Sequence, residues 1–314
     1  MRRLAPSWLR RGWQQTASVR DRNSRAAPRL VIGSDDLDGF VGKTDELGKI
    51  GSPPVAAYWS TVTYQPSTAV DETLDPYSDA YTEQQIALYR EVSGRSVNQE
   101  ENELTALDIE AHVAAANPYA HPAPPDVALH MSRIARAIQH SGLASGDHVL
   151  DIGCGWGASC ELLAFSGLRV TGVDINPAFV ELVNRRAARS GLPIYAEQGT
   201  FEAIPGSAKF KAVLYYECLH HAVRPWVALR AAFDRLEPGG RVMLVGESLN
   251  NDWKTWGLRV DPLSLYCVRK FGWFESGWSV AFIQDCLERC GLAVERCTDE
   301  GGTLGWIIIG RKAG

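Results

Sequence analysis

The sequence predicts an α/β fold with a doubly wound, mostly parallel sheet over residues 125–314. An apolar run at 149–152 leads into a glycine-rich turn and then into a helical pattern. Short strand patterns then alternate with amphipathic helix patterns, which is typical of a parallel sheet covered by helices. A helix precedes the first strand, and its apolar residues recur on one face; these are Val127, Met131, Ile134 and Ile138.

Each further element is predicted from its own local signals. Asn176 and Pro177 are a cap and a first helical residue, so a helix follows the second strand. Its expected buried stripe is Val180, Val183 and Ala187. Gly142 ends the helix before the first strand. The predicted strands are 149–152, 169–174, 193–198, 212–216, 242–246, 292–297 and 306–310.

The glycine-rich turn, Gly153-Cys154-Gly155-Trp156-Gly157, is the strongest indication of a ligand site. Glycine lets a ligand approach the backbone closely, and the helix from Ala158 offers unpaired N–H groups. With Ala158 the spacing also satisfies the loose dinucleotide pattern. However, Asp151 precedes the first glycine, and a carboxylate there repels a pyrophosphate and suits an ammonium group. Asp174 ends the second strand, where a ribose-binding carboxylate belongs.

Residues 151–157 together with Asp174 resemble the first two motifs of the class I S-adenosylmethionine-dependent methyltransferases. Residues 210–221 are similar to the family's fourth strand and the loop after it, and residues 236–242 to its turn into the fifth strand. The resemblance covers residues 125–314 and implies a seven-stranded sheet with an antiparallel last strand. Two positions depart from the pattern: Thr200 stands where an acid near the adenine is common, and Lys211 replaces an acid.

The resemblance implies S-adenosyl-L-methionine as cofactor and a set of residues that bind it. Asp174 is expected to accept both ribose hydroxyls, and Asp151 to order the turn or meet the ammonium through water. Ile175 and Phe201 are expected beside the adenine, although Phe201 and Trp156 equally suit the core. The full predicted set is Asp151, Gly153, Cys154, Gly155, Gly157, Asp174, Ile175, Thr200, Phe201 and Glu217.

Candidate catalytic residues lie on the loop after the fourth strand: Glu217, His220 and His221. Ligands of open α/β sheets bind at the carboxyl edge, where this loop lies. A histidine accepts a proton near neutrality, and since adjacent side chains diverge, one of the pair is expected to face the ligand. Either histidine alternatively caps the next helix or supports the loop. Glu217 alternatively holds the methionine moiety or the substrate, or is a solvated loop acid.

No metal ion is expected in the site. Cys286 and Cys290 share a helix face without histidine companions, and the acidic run beginning at Asp35 lacks an oxygen ligand where Phe40 stands. The seven cysteines contain no C-x-x-C pair, and reduced thiols in a cytoplasmic protein are the simplest interpretation.

The chain of 314 residues has a formal net charge of −5, which argues against a general nucleic-acid binder. No apolar run reaches the length of a transmembrane segment. The expected partner is a small-molecule or glycan acceptor, and the sequence does not predict the oligomeric state.

Two regions precede the predicted methyltransferase domain. Residues 1–30 are rich in arginine and are predicted to be a disordered basic tail, with a transit peptide or a lipid-contacting segment as alternatives. Residues 31–124 are predicted to be an α-rich cap or arm, with helices at 79–92 and within 98–116. The connection at 247–278 is rich in aromatic residues, which suits either stacking on an acceptor or the core of a lid.

The predicted activity is therefore S-adenosylmethionine-dependent O-methylation of a small molecule, a sugar or a polysaccharide. Three alternatives remain: an NAD-dependent enzyme on the same glycine turn, a lipid methyltransferase like the cyclopropane synthases, and a non-catalytic binding protein with the methyltransferase fold.

Overall fold

The computed structural model of the chain describes residues 30–120, 123–250, 253–301 and 304–314. The predicted basic tail therefore lies outside the described residues, except for Leu30. Among the described residues two compact units are distinguished. We call residues 104–250 and 278–314 the sheet unit, and residues 30–103 and 253–277 the second unit. No helix in the described ranges is long and apolar enough to cross a membrane.

The helices and strands follow one another along the chain in three stretches. The first stretch holds β1 (Leu30–Ile32), α1 (Leu37–Leu47), α2 (Pro53–Trp59), β2 (Val62–Tyr64), α3 (Asp79–Ser93) and α4 (Gln99–Asn102). The second holds α5 (Ile109–Ala114), α6 (Pro124–Ser141), β3 (His148–Ile152), α7 (Ala158–Phe165), β4 (Arg169–Asp174), α8 (Pro177–Ser190), β5 (Ile194–Gln198), β6 (Phe210–Tyr216), α9 (Pro225–Asp234) and β7 (Leu236–Val245). The third holds β8 (Trp256–Leu258), α10 (Pro262–Phe271), β9 (Ser276–Trp278), α11 (Val280–Arg289), β10 (Leu292–Asp299) and β11 (Trp306–Lys312).

The sheet unit is built on a seven-stranded sheet of order β10-β11-β7-β6-β3-β4-β5. Five adjacent strands pair in parallel, in the order β7, β6, β3, β4 and β5. In contrast, β11 runs antiparallel to both β7 and β10. The predicted doubly wound, mostly parallel sheet is therefore confirmed. The chain leaves β3 for β4 on one side and later returns to β6 on the other, so the direction of winding reverses between β3 and β6. Ligands bind at the carboxyl ends of the strands at such a reversal.

Both faces of the central strands are buried, as a parallel sheet between helices requires. On β6, Ala212 and Leu214 lie in the hydrophobic cluster that also contains Ile134, while Val213 is equally buried on the opposite face.

The strand predicted to begin at residue 242 is β7, and it begins earlier, at Leu236. Its pairing with β6 continues through the Pro238-Gly239-Gly240 sequence with an irregular register.

The buried face of α6 differs from the prediction. Of the predicted apolar stripe only Ile134 is fully buried, and the other buried positions include His130 and Arg133. Helical periodicity marks apolar residues, so it missed polar residues that find partners at the sheet edge. The predicted cap and first helical residue of α8 are confirmed, since the Asn176 side chain accepts a hydrogen bond from Ala178 N.

The second unit joins the N-terminal region to the aromatic connection. Tyr81 donates through its hydroxyl to Trp256 O at 2.6 Å, and Trp256 Nε1 donates to Pro76 O at 2.8 Å. Tyr89 donates in the same way to Gly272 O at 2.5 Å. Trp256 is fully buried, so for this residue the core interpretation is confirmed.

The predicted helix at 79–92 is confirmed by α3. The single helix expected within 98–116 is instead two short helices, α4 and α5, separated by residues 103–108. The predicted domain limits at 30 and 124 remain a prediction. In the structure, the N-terminal part of the second unit ends at Glu103 and the sheet unit begins at Leu104.

Candidate functional site

The glycine-rich turn lies between the end of β3 and the start of α7, at the reversal point of the sheet. Gly153 N and Cys154 N both donate to Val173 O, at 2.8 and 3.1 Å, which fixes the turn against β4. The backbone of Gly153 has a φ of +67°, and a Cβ there would come within 2.9 Å of Cys218 Sγ. Only glycine fits at this position, because both the conformation and the available space exclude a side chain.

Asp174 is buried at the end of β4 and faces this turn. Its Oδ2 accepts a hydrogen bond from Gly155 N at 2.8 Å, and its Oδ1 accepts from Asn176 N at 2.9 Å. Each carboxylate oxygen can accept more than one hydrogen bond. The backbone therefore orients both oxygens and leaves them capacity to accept from a pair of hydroxyl groups.

Asp151 is buried beneath the same turn. Its Oδ2 accepts from Ser159 Oγ at 2.5 Å and from Cys160 Sγ at 3.1 Å, while its Oδ1 has no hydrogen-bond partner among the described residues. Burial, aided by the neighbouring charge of Asp174, raises the pKa of the Asp151 carboxyl to about 6, while the hydrogen bonds from Ser159 and Cys160 act in the opposite direction. A buried carboxylate oxygen without a donor is costly and is suited to a cationic or hydrogen-donating ligand.

The remaining predicted cofactor residues line the turn or lie near it. Phe201 approaches the turn, with its Cε1 3.3 Å from where a Gly153 Cβ would stand, and its ring lies 5.9 Å from that of Tyr215. Ile175 is half-buried directly after Asp174, and its place beside the adenine stays a prediction. Thr200 is engaged in its own turn, where its Oγ1 accepts from Ala203 N at 2.9 Å.

Glu217 is buried and directed toward α6. It forms an ion pair with Arg133 Nη1 through Oε1, and its Oε2 lies 3.6 Å from His130 Nδ1. His130 Nδ1 is also hydrogen-bonded to the Tyr216 hydroxyl, at 2.5 Å. The alternative of a solvated loop acid is therefore wrong for Glu217. Its backbone φ of +48° is unusual for a residue with a side chain, and this ion pair helps to hold it.

His220 and His221 lie in a short helical turn after β6. His220 is buried, and its Nδ1 is 2.7 Å from Oε2 of Glu247, which follows β7 and is also buried. Oε1 of Glu247 accepts from Cys218 N at 3.0 Å and from Leu219 N at 2.8 Å. His221 is half-buried, and its ring centroid lies 4.3 Å from that of His220.

Sequence reasoning missed Glu247, Arg133 and His130. The only local signal for Glu247 is an acid just after a buried strand, the same signal that drew attention to Asp174. Arg133 and His130 lie on α6, where helical periodicity identifies only the apolar positions. The local sequence pattern therefore gives no signal for these two polar residues.

Residues 104–120 extend across the sheet unit beside the turn. Asn176 Nδ2 donates to Thr105 O at 3.0 Å, and the His112 ring lies 4.4 Å from the Trp156 ring. Arg186 Nη1 donates to His112 O at 2.7 Å, which fastens this segment to α8. A part of the chain that precedes α6 therefore packs against the half-buried Trp156 of the glycine turn.

Together these residues form a cradle suited to a cationic nucleoside. Asp174 presents oriented oxygens for a diol, Asp151 offers an unpartnered anionic oxygen, and the glycines leave the backbone accessible. Two buried carboxylates beside one turn disfavour a pyrophosphate, because like charges repel more strongly away from water.

Comparisons with known proteins agree with this arrangement. Residues 149–240 match the family described as "Methyltransferase domain". The chain is 33% identical over 128 residues to a ubiquinone biosynthesis O-methyltransferase of Bradyrhizobium diazoefficiens, covering 41% of this chain and 50% of that protein. It is 31% identical over 150 residues to the Citrobacter koseri protein of the same name, covering 44% of this chain and 61% of that protein. The chain thus spans about half to three-fifths of these relatives.

A solved structure supports the fold alone. A chain of the complex between the Haloferax volcanii Trm112 methyltransferase activator and the putative methyltransferase superimposes with a TM-score of 0.50 at 17% identity. The superposition covers 67% of the present chain and 100% of that chain.

Proposed function

We propose that this chain, a member of the class I S-adenosylmethionine-dependent methyltransferases, transfers a methyl group from S-adenosyl-L-methionine to a hydroxyl group of a small molecule. The observation that carries the proposal is the pairing of the glycine turn with Asp174, whose two oxygens are held by Gly155 N and Asn176 N. This pairing lies within the matched methyltransferase domain.

Each part of the cradle has a role in the proposed complex. Asp174 binds the ribose hydroxyls, the unpartnered oxygen of Asp151 meets the ammonium directly or through water, and Ile175 and Phe201 flank the adenine. Thr200 and Cys154 shape the turn and its surroundings. When bound, the cofactor supplies an electrophilic methyl group on a sulfonium, which is already a good leaving group. The chain therefore has mainly to align the nucleophile and exclude water.

The loop after β6 supplies the acid–base group in this proposal. His220 and His221 lie at the carboxyl edge of the strand next to β3, which places the pair beside the cradle. Glu217 holds the loop to α6 through Arg133, and this engagement favours a positioning role over a direct role in proton transfer.

The hydroxyl acceptor is supported by the relatives, which bear the name of O-methyltransferases of ubiquinone biosynthesis. The sugar or polysaccharide acceptor predicted from the aromatic connection has less support. Trp256, Tyr266 and Phe274 of that connection are buried as core of the second unit, which removes them from the set available for stacking.

Calorimetric titration tests the proposal directly. S-adenosylhomocysteine is expected to bind the wild-type protein, and Asp174→Ala is expected to weaken that binding. NADH serves as the comparison ligand, because it tests the NAD-dependent alternative on the same turn. Binding of NADH without binding of S-adenosylhomocysteine would overturn the proposal. Binding of S-adenosylhomocysteine without methyl transfer to any hydroxyl acceptor would favour the non-catalytic alternative.

A further inference from the structure

One segment of the sheet unit contacts both elements that form the nucleoside cradle. We call this segment, residues 105–115 with α5 inside it, the strap. Thr105 O accepts a hydrogen bond from Asn176 Nδ2 at 3.0 Å, and Asn176 N donates to Asp174 Oδ1 at 2.9 Å. A single residue therefore joins the start of the strap to the carboxylate that the proposed function assigns to the ribose.

The strap also contacts the glycine turn, through His112. The centroid of the His112 ring lies 4.4 Å from that of the Trp156 ring. His112 Nδ1 lies 2.8 Å from Pro118 O, and since a carbonyl oxygen only accepts, Nδ1 donates and the ring is held in place. The strap is thus joined to the immediate surroundings of both Gly155 and Asp174, the two residues whose hydrogen bond defines the cradle.

The strap has no apolar anchor of its own. None of residues 105–115 is buried, and Leu104 directly before them is 41% exposed. Hydrophobic burial is the main favourable term in folding, so a segment without it opens at a small cost in free energy. The strap is therefore expected to open while the sheet stays folded.

Arginines of α8 hold the strap in place of an apolar anchor. The last carbonyl groups of a helix have no partner within the helix, so they need donors from elsewhere. Arg186 donates to His112 O at 2.7 Å and to Ala115 O at 3.0 Å. Arg189 donates to Val113 O and, at 3.1 Å, to Ala115 O. Two side chains of α8 therefore cap the end of α5 and fasten the strap.

Two ion pairs accompany these contacts. Arg185 binds both carboxylate oxygens of Glu110 on the strap, at 2.6 and 2.8 Å, and the Glu110 side chain is 78% exposed. Exposed ion pairs are weak and are screened by salt, so this pair adds little to the attachment. The buried Arg186 binds Glu161 of α7, the helix that follows the glycine turn, at 2.5 and 3.1 Å. The exposed Arg189, whose printed contacts are to the strap alone, is therefore the residue to change in a test.

We propose that the strap is a gate over the cradle, and that its opening limits how fast the cofactor enters and S-adenosylhomocysteine leaves. This inference rests on the proposed function and adds a conformational step to it. Ligand exchange occurs from the open state, so the rate constants kon and koff both scale with the population of that state. The strap is held by protein groups in the free and in the bound protein alike, so its opening leaves the Kd unchanged.

Hydrogen exchange of the ligand-free protein tests the gate itself. The N–H groups of His112 and Ala115 donate to Asp108 O and Ala111 O within α5, so their exchange reports opening of the strap. They are expected to exchange about 10²-fold faster than the amides of β4 or more. Arg189→Gln is expected to accelerate them about fivefold, the effect of losing one hydrogen bond. Strap amides that exchange as slowly as those of β4 would overturn the inference.

Stopped-flow binding of S-adenosylhomocysteine to the full chain tests the role of the gate. In Arg189→Gln, kon and koff are expected to rise together by about fivefold, with the Kd within twofold of wild type. Arg189→Lys retains a donor for the strap carbonyls and is expected to fall between the two proteins. Arg289→Gln is the matched control, because Arg289 is exposed on α11 and pairs there with Asp285. It is expected to match wild type.

Two results of the binding experiment would overturn the gate. If koff alone rises and the Kd weakens, the strap is part of the binding surface instead. If neither rate constant changes in Arg189→Gln, the strap does not limit exchange. Failure of the proposed function is recognised separately, because the wild type would then not bind S-adenosylhomocysteine, whereas failure of the gate leaves that binding intact.

Discussion

Replacing Asp151 by asparagine is expected to make the ligand-free protein more stable at neutral pH. The folded environment raises the pKa of this carboxyl from 3.8 to about 6, chiefly because the group is fully buried. Since one pKa unit corresponds to about 1.4 kcal/mol, the ionised side chain costs the folded state about 3 kcal/mol above its folded pKa. The substituted asparagine side chain would carry no charge and would still offer an oxygen to Ser159 and Cys160.

The sign of the pH dependence follows from proton linkage. Between about pH 4 and pH 6 the folded state retains a proton on Asp151 that the unfolded state has released, so rising pH destabilises the folded state through this group. The free energy of unfolding of Asp151→Asn minus that of wild type is therefore expected to increase by about 2.5 kcal/mol from about pH 4 to about pH 8. The change with pH is the diagnostic quantity, because an unpaired amide NH₂ adds a penalty that is the same at every pH.

Urea denaturation at a series of pH values measures this difference. Glu288→Gln, an acid-to-amide change on an exposed helix face, is the matched control and is expected to show little change with pH. A difference between Asp151→Asn and wild type that stays constant from about pH 4 to about pH 8 would refute the reasoning, since the carboxyl would then not titrate in that interval.

The same substitution is expected to weaken ligand binding while it strengthens the fold. Without its negative charge, position 151 no longer attracts the ammonium group, so the affinity for S-adenosylhomocysteine is expected to fall about tenfold or more, the effect of losing one charged hydrogen bond. Calorimetry at neutral pH measures it. Unchanged affinity together with raised stability would assign Asp151 to the architecture of the turn alone.

Three further predictions concern other carboxylates. Asp174→Ala is expected to weaken S-adenosylhomocysteine binding by about 1–3 kcal/mol in calorimetry, because two buried N–H groups and the ribose lose their acceptor; affinity within twofold of wild type would contradict this. Glu217→Gln is expected to lower the free energy of unfolding by about 3 kcal/mol, since the buried Arg133 then loses its ion pair with Glu217. Adding Arg133→Met is expected to recover more than half of this in urea denaturation, and an undiminished loss would disprove the coupling. The pKa of Glu91 is lowered to about 2 against the opposing effect of burial, because the Thr68, Tyr64 and Ser67 groups donate to it. Its stabilising contribution is present above about pH 4.5 and lost as the pH falls, so Glu91→Gln is expected to cost about 1 kcal/mol at neutral pH, a figure reduced for solvent screening, and nothing near about pH 2.

The local parts of the site were predictable from the sequence. A strand followed by alternate glycines and a helix start is a contiguous pattern, and the structure places the glycine turn and Asp174 together as that pattern predicts. The doubly wound, mostly parallel arrangement was also predictable, because alternation of strands and helices restricts the topologies available to a sheet.

The pairing of distant side chains was not predictable in this way. Glu247 and His220 meet because two neighbouring strands end at the same edge, and which side chains meet there depends on the register of β6 against β7. Likewise Arg133 reaches Glu217 only because α6 lies over the carboxyl end of β6. Periodicity finds the apolar face of a helix and gives no information about polar residues whose partners are far away in the sequence.

Four acids lie at the carboxyl ends of four adjacent parallel strands. They differ in the groups that compensate the negative charge of each carboxylate. Asp174 is held by backbone N–H groups, Glu217 by an arginine, and Glu247 by two N–H groups and an imidazole. Asp151 alone among the four has only a hydroxyl and a thiol as donors, and one of its oxygens has no hydrogen-bond partner among the described residues.

A buried charge that the protein itself does not neutralise is costly, so it is expected to persist only where something else supplies the missing donor. A cationic ligand in the glycine cradle supplies that donor, and binding then recovers part of the stability that the apo protein lacks. The three other acids have donors within the protein for both carboxylate oxygens, whereas Oδ1 of Asp151 has none among the described residues. We therefore expect S-adenosylhomocysteine to raise the melting temperature of wild type more than that of Asp151→Asn, and equal shifts for the two proteins would show that the unpartnered oxygen of Asp151 is not part of the binding site.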